Sequence, residues 1–503
     1  MAAGNAGRRG KEQAQEMPDG EALNRCGKCR TARRGTGAGN AGRRSTKPIE
    51  KKKRTGEERI MTETILPGPR RGSVSIPASK SRAHRLLICS ALRGLPRELI
   101  CEGISKDIEA TAACLREMGS RVEIGGDRIR VSPEAEGPKE KVTLRCGESG
   151  STLRFLLPVA GAMGLAGEFV LEGRLAERPL QPLWDVLCEK GMRLSLEGGR
   201  LSFSGQLRPG TYEIPGNISS QFVSGLLFAL PLLTGESELR VTGKVESADY
   251  IAMTEDALAQ FGVPIEKQGW TYRIPGDGYG RSRQGENGQD SGKNSGRGEE
   301  APLRVEADWS SAAFFLALGA LSPAGVTVLG MDPASRQGDR RILPLLEAFG
   351  ARTETGDGWI RVSAGEMRGQ RIDASGIPDL VPVLAAAAAA ARGETVIEHA
   401  ERLRLKESDR LKTTAAMLTA LGADIRETED GLVIRGKERL RGGKVSSFND
   451  HRIAMSAAVA AAVCGEPVVI EGAECTEKSF PGFWEKLKGL EISEQEPQAD
   501  RPE

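Results

Sequence analysis

The 503-residue sequence predicts an α/β protein of two similar domains, each assembled from three related units. Two observations carry this. An Ala/Leu-rich apolar run, opening on small polar or charged residues and closing on glycine, recurs six times. Between its copies lie amphipathic stretches that end in glycine and lead into β-like runs. Recurrence of this kind marks a chain built from repeated supersecondary units.

The apolar run occurs at 79–94, 148–164, 219–235, 309–325, 378–393 and 449–465. Apolar on nearly every side, it is expected to form a buried helix. The amphipathic element, seen at 107–124, 178–196 and 408–427, is expected to cover it. Successive starts of the apolar run lie 69, 71, 90, 69 and 71 residues apart. The long interval contains segment 276–300, with eight glycines and no aliphatic residue, expected to be a disordered, solvent-exposed insertion. A purely structural repeat array has the same periodicity, so the repeat alone leaves function open.

The ends differ from the body. Residues 1–60 hold 16 Lys/Arg against 7 Asp/Glu, a net of +9, without apolar periodicity, and read as a disordered basic tail. The total is +2, so the remaining chain carries −7, which weighs against nucleic-acid binding by the folded body. Cys26 and Cys29 are spaced like half a zinc site, but the segment has no second half; no metal and no cofactor are expected. Met61 is an alternative start, directly before the structured body, and 491–503 reads as a flexible tail. No stretch approaches the roughly 20 apolar residues of a membrane span. Nine scattered cysteines suit reduced thiols, and the expectation is a soluble, cytoplasmic monomer.

The chemistry is expected at the starts of the buried helices. Lys80, Arg85, Arg154 and Arg452 oppose the positive end of a helix dipole and call for a counter-anion. A helix N-terminus with Arg and Lys is a natural phosphate or carboxylate site, although internal carboxylates supply the same charge. Three further clusters point the same way. ERP (177–179) places Arg178 before a helix-opening proline, and KESDR (406–410) places Lys406 and Arg410 on one helix face beside Glu407. TEKSFP (476–481) places Lys478 ahead of the last short helix. Together they suggest a small, highly anionic ligand set gathered from both domains.

The segments SKSRAHR (79–85), GESGSTLR (147–154), ERP (177–179), SSQF (219–222), PD (378–379), KESDR (406–410), NDHR (449–452) and CTEKSFP (475–481) resemble the 5-enolpyruvylshikimate-3-phosphate synthase family, in its order and over roughly 62–490. The resemblance implies two domains of three βαβαββ units each, an inverted-barrel architecture with the active site in the interdomain cleft. Segment 62–79 would join 305–490, leaving 80–304 as the second domain. It implies transfer of the enolpyruvyl group of phosphoenolpyruvate to the 5-hydroxyl of shikimate 3-phosphate, a step toward aromatic amino acids. Lys80, Ser81, Arg85, Ser219, Ser220, Gln221, Ser247, Asp379 and Lys406 would contact shikimate 3-phosphate. Phosphoenolpyruvate would meet Lys80, Gly150, Arg178, Gln221, Arg410, Arg452 and Lys478. Gly150 would let backbone approach the ligand.

Two proton transfers are needed. Asp379 is the candidate base; Glu407 is the candidate acid, which requires a raised pKa. Lys80 would share the hydroxyl proton and stabilise phosphate charge. His451 stays outside the catalytic set. Glu148 and Arg402 replace the Asn common among relatives, and Phe155 follows Arg154 where some members have proline. Gly150 suggests sensitivity to glyphosate, a phosphoenolpyruvate mimic. The competing readings are the sister transferase acting on UDP-N-acetylglucosamine, where Gly173 stands in place of a reactive cysteine, and an inactive scaffold with a nucleic-acid-binding tail.

Overall fold

A computed structural model of the chain describes residues 61–134, 139–280 and 301–493. The basic segment 1–60, with Cys26 and Cys29, lies outside the described residues, as do 281–300 and 494–503.

Each of the six apolar runs folds as a helix: α1 (Lys80–Arg93), α2 (Gly150–Ala162), α3 (Ser220–Ala229), α4 (Trp309–Ala320), α5 (Val381–Ala388) and α6 (His451–Ala460). Their composition explains their burial. In α4, WSSAAFFLALGA, eleven of twelve residues are buried, because no face of that sequence favours water. Small residues allow close approach. A Cβ at Gly225 of α3 would lie 2.3 Å from the Arg154 carbonyl oxygen of α2, so only glycine lets these helices meet there.

The helices divide between two cores. One gathers α1, α2 and α3 within a stretch from Ala78 to Val305. The other gathers α4, α5 and α6 with Ile65, Val74 and Ile76 from the start of the described chain. Each lobe adds three sheets, and four of the six are four-stranded on one plan. Val142–Gly147 runs parallel to Gly167–Leu171, which is antiparallel to Arg200–Gly205, itself paired with Met192–Glu197. With α2 and the helix Leu183–Glu189 between the strands, this is a βαβαββ unit in chain order.

Units at the crossovers borrow strands. Leu303–Arg304 lies parallel to Arg97–Ile100, and Arg70–Ser75 lies parallel to Val326–Leu329. Thr62–Ile65 pairs antiparallel with Val468–Glu471. The two crossovers run side by side: Ser79 donates its N–H to the Glu306 carbonyl at 2.7 Å, and Asp308 donates to Pro77 at 2.9 Å. Ala78 and Val305 belong to the first core.

Two expectations need correction. Segment 276–280 is packed and not part of a disordered insertion. The N–H groups of Asp277 and Gly278 bond to the carbonyls of Leu233 and Pro231, both at 2.8 Å, and Tyr279 is buried. The C-terminal tail also begins later than 491, because Glu491–Ile492 pairs with Arg70 and Arg71 as an edge strand. Among the described residues, no helix is long and apolar enough to cross a membrane.

Candidate active site

The six buried helices converge by their N-terminal turns. Lys80 and Ser81 of α1, Gly150 and Ser151 of α2, and Ser220 and Gln221 of α3 line one side of a cleft. Ser310 and Ser311 of α4, the turn Pro378–Asp379 that leads into α5, and His451 and Arg452 of α6 line the other. Four of these turns are capped within their own segment. Ser79, Ser149, Ser219 and Asp450 accept from the N–H of Arg82, Thr152, Gln221 and Arg452. Caps satisfy only some of the free donors of a helix start, and six partial positive charges face one space.

Side chains add to that field. Eight Lys/Arg line the cleft against four Asp/Glu, although the chain beyond residue 60 is net acidic. Arg85 is buried without a carboxylate partner. It donates to Thr254 Oγ1 at 2.8 Å and to the Ser81 and Tyr250 carbonyls at 2.7 Å, with its guanidinium 5.1 Å from the centre of the Phe155 ring. Burial pushes its pKa down to about 9. Arg154 is pushed down to about 9 by burial and by Arg178. The Nε atoms of Arg154, Arg178 and Arg452 are buried without a hydrogen-bond partner. Buried donors of this kind call for an acceptor.

At Gly150 a side chain would meet two neighbours. A Cβ there would lie 2.8 Å from Arg178 Nη1 and 3.0 Å from Arg154 Nη1, so the missing side chain makes room for two guanidinium groups. Gln221 locks the same corner, donating to Ser151 Oγ at 2.9 Å and accepting from Arg154 at 2.9 Å.

On the opposite wall Asp379 is a hub. Its carboxylate lies 2.9 Å from Arg410, 3.2 Å from Arg452 and 3.3 Å from Lys406, and Tyr250 donates to it at 3.3 Å. Burial opposes ionisation, but Arg452, Lys406 and Arg410 outweigh it and hold the carboxyl well below its usual range. Glu407 lies 2.6 Å from Arg410. Here too burial is outweighed, by Arg410, Arg178, His451 and Lys406, and the carboxyl sits well below its usual range. The raised pKa expected of a proton donor is therefore absent from this arrangement. KESDR supplies the reason, because Arg410 follows Glu407 by only three residues. Contrary to expectation, Lys406 and Arg410 do not share a helix face, since 406–409 precede the helix Arg410–Ala420.

Fourteen of the fifteen expected site residues line the cleft: Lys80, Ser81, Arg85, Gly150, Arg178, Ser219, Ser220, Gln221, Ser247, Asp379, Lys406, Glu407, Arg410 and Arg452. Lys478 does not. Its ammonium is turned to Glu148 at 2.9 Å and to Asn449. Ser247 has φ +54° and accepts from Arg402 at 2.9 Å, and Arg402 also pairs with Glu246 at 2.7 Å. Three participants escaped sequence reasoning. Asp107 pairs with Lys80 at 2.9 Å, Asp450 holds Arg410 Nε at 2.8 Å, and Tyr250 bonds Asp379. Tyr250 follows Ser247 by three residues, the one signal available for it; Asp107 and Asp450 look like ordinary helix-start carboxylates.

The family model of EPSP synthase (3-phosphoshikimate 1-carboxyvinyltransferase) matches residues 66–487. The chain belongs to the EPSP synthase family. It is 42% identical over 429 residues to the 3-phosphoshikimate 1-carboxyvinyltransferase of Clostridium kluyveri, covering 85% of this chain and 96% of that one. It is 40% identical over 427 residues to that of Clostridium acetobutylicum, covering 84% and 95%. Its fold matches the solved EPSP synthase of Acinetobacter baumannii with a TM-score of 0.66 and 26% identity, over 86% of this chain and all of that one. Of the two transferases considered from the sequence, the match selects EPSP synthase. Gly173 agrees: it has φ +53°, a backbone conformation that a cysteine adopts only with strain.

Proposed function

We propose that this cleft transfers the enolpyruvyl group of phosphoenolpyruvate to the 5-hydroxyl of shikimate 3-phosphate, with the two lobes acting as the domains that close on it. The convergence of six helix starts with eight basic side chains supports this most strongly. Both substrates are anionic, and such a site favours phosphate and carboxylate over neutral ligands. Ser219, Ser220 and Ser247 would hold the phosphate of shikimate 3-phosphate. Lys80, Ser81, Arg85, Gln221, Asp379 and Lys406 would hold its ring substituents and remaining charge. Arg178, Arg410 and Arg452, with Lys80, Gly150 and Gln221, would receive phosphoenolpyruvate, and Lys478 would complete that set.

Asp379 would take the proton of the attacking hydroxyl, and Glu407 would deliver a proton to the methylene carbon. Both carboxyls are held ionised by the cations that phosphoenolpyruvate would engage. Each substrate oxygen that takes over Arg410, Arg178 or Arg452 weakens that hold, so substrate binding raises both pKa values. A carboxyl held low by these cations is thus compatible with proton transfer once substrate engages them. Lys80, 2.9 Å from Asp107, would share the hydroxyl proton and stabilise charge on the departing phosphate.

The test is phosphate release from the two substrates by wild-type protein and by Lys80→Ala and Asp379→Ala. Release by folded wild type and its loss in both variants are expected. No release by folded wild type would refute the assignment.

A further inference from the structure

Glu148 occupies a place that the reaction as assigned does not require. It lies between Gly147 (φ +54°) and Ser149, the cap of α2, on the lobe that ends at Val305. Its carboxylate reaches the other lobe, where Oε2 lies 2.9 Å from Lys478 Nζ and Oε1 accepts from Asn449 Nδ2 at 3.2 Å. Lys478 also donates to the Asn449 carbonyl at 3.0 Å and to Asn449 Oδ1 at 2.9 Å. An ammonium has three N–H donors, and here all three have partners.

The surroundings are shaped for this contact. Gly173 leaves the space that the Glu148 carboxylate fills. Phe448 and Asn449 both adopt left-handed backbone, φ +52° and +56°, which disfavours residues other than glycine. Ser446 and Ser447 support that backbone by accepting the N–H groups of Phe448 at 3.0 Å and Asn449 at 3.2 Å. The loop thereby presents two oxygens of Asn449 to one lysine.

We propose that Glu148 is a built-in competitor for Lys478, and that phosphoenolpyruvate must displace the Glu148 carboxylate to reach the ammonium. This rests on the reading of Lys478 as a phosphoenolpyruvate ligand. The competition makes Glu148 a determinant of affinity and specificity. Exchanging one carboxylate for another gains little, so a ligand bearing carboxylate alone displaces Glu148 poorly. A ligand that also places phosphate among Arg178, Arg410 and Arg452 drives the exchange. The alternative role is a strut that holds the lobes together, and it predicts the opposite sign.

The experiment compares full-length wild type, Glu148→Gln, Lys478→Met and the double variant, with thermal melts to verify folding. The KM for phosphoenolpyruvate is measured at saturating shikimate 3-phosphate and low salt. Glu148→Gln keeps an acceptor for Asn449 while removing the charge. It is expected to lower KM about three- to tenfold, the scale of a partly exposed charge-assisted contact. Lys478→Met is expected to raise KM, and the Gln substitution to have less than about a twofold effect in the Met background. A rise in KM with Glu148→Gln overturns the proposal in favour of the strut. An equal fall with and without Lys478 overturns it in favour of a general charge effect. A KM unchanged by Lys478→Met in an active protein also overturns it, whereas an inactive wild type overturns the assigned reaction itself. Should Glu148→Gln not fold, Glu148→Asp gives the same comparison, with a smaller fall in KM expected as its shorter carboxylate withdraws from Lys478.

Discussion

Replacing Gly150 by alanine tests whether the cleft is built around two guanidinium groups. The added methyl would lie 2.8 Å from Arg178 Nη1 and 3.0 Å from Arg154 Nη1. An ordinary contact is about 3.5 Å, so the two groups must retreat by about 0.7 and 0.5 Å. A retreat of that size stretches a good charge-assisted hydrogen bond beyond its working range. One such bond contributes about 1.5 kcal/mol at the low end, which is about tenfold in affinity. The KM for phosphoenolpyruvate is therefore expected to rise about tenfold in Gly150→Ala, read by initial rates of phosphate release. Alanine is a better helix former than glycine, so the melting temperature should not fall, which separates a site effect from unfolding. In an Arg178→Ala background the same substitution should do much less. A KM within about twofold of wild type in a folded Gly150→Ala protein would refute the reasoning.

Asp379→Asn is expected to lower kcat for phosphate release by about 10²–10⁴ if the carboxylate takes the hydroxyl proton; a fall of less than about threefold contradicts that role. Glyphosate is expected to inhibit in competition with phosphoenolpyruvate, and an inhibition curve flat into the millimolar range contradicts this. Asp339 provides a pH test. It is buried, Ser310 donates to its Oδ2, and its Oδ1 is buried without a partner. Burial, then the neighbouring Asp379, push its pKa up to about 6 from an ordinary 3.8. A carboxyl raised in the folded state costs stability as pH rises between the unfolded and folded values, and the cost is complete above about 6. Asp339→Asn should therefore melt higher than wild type at about pH 8, with the difference shrinking toward pH 4; a constant difference contradicts the raised pKa.

The parts of the fold legible in the sequence are those where one physical rule acts alone. Helices such as WSSAAFFLALGA and VPVLAAAA must be buried because they have no polar face, and six of them at a fixed period imply a common unit. Packing that depends on one residue escaped. Tyr279 is a single aromatic in a glycine-rich stretch, yet its burial carries residues 276–280 into the first core. Seven of the eight cations of the cleft, all but Arg402, were legible because each sits near a helix start or in a compact cluster. Their partners were not. The charge state of Glu407 depends on Arg178, far away in sequence, as well as on neighbouring Arg410. Lys478 depends on Glu148, 330 residues earlier. No local pattern records either pairing.

The borrowed strands have a consequence for the order in which the molecule can be assembled. Thr62–Ile65 finds its partner only at Val468–Glu471, some 400 residues later in synthesis. At about 5–20 residues per second, that segment waits on the order of 20–80 s for its place in a sheet, while the intervening lobe can already fold. An unpaired strand in a nascent chain is an aggregation hazard. The sequence TETI limits it: the strand is four residues long, and Ile65 alone is fully buried once docked. The earliest strand of the folded body is thus among the last to be secured, and its brevity and polarity suit a segment that must stay soluble until its partner has been made.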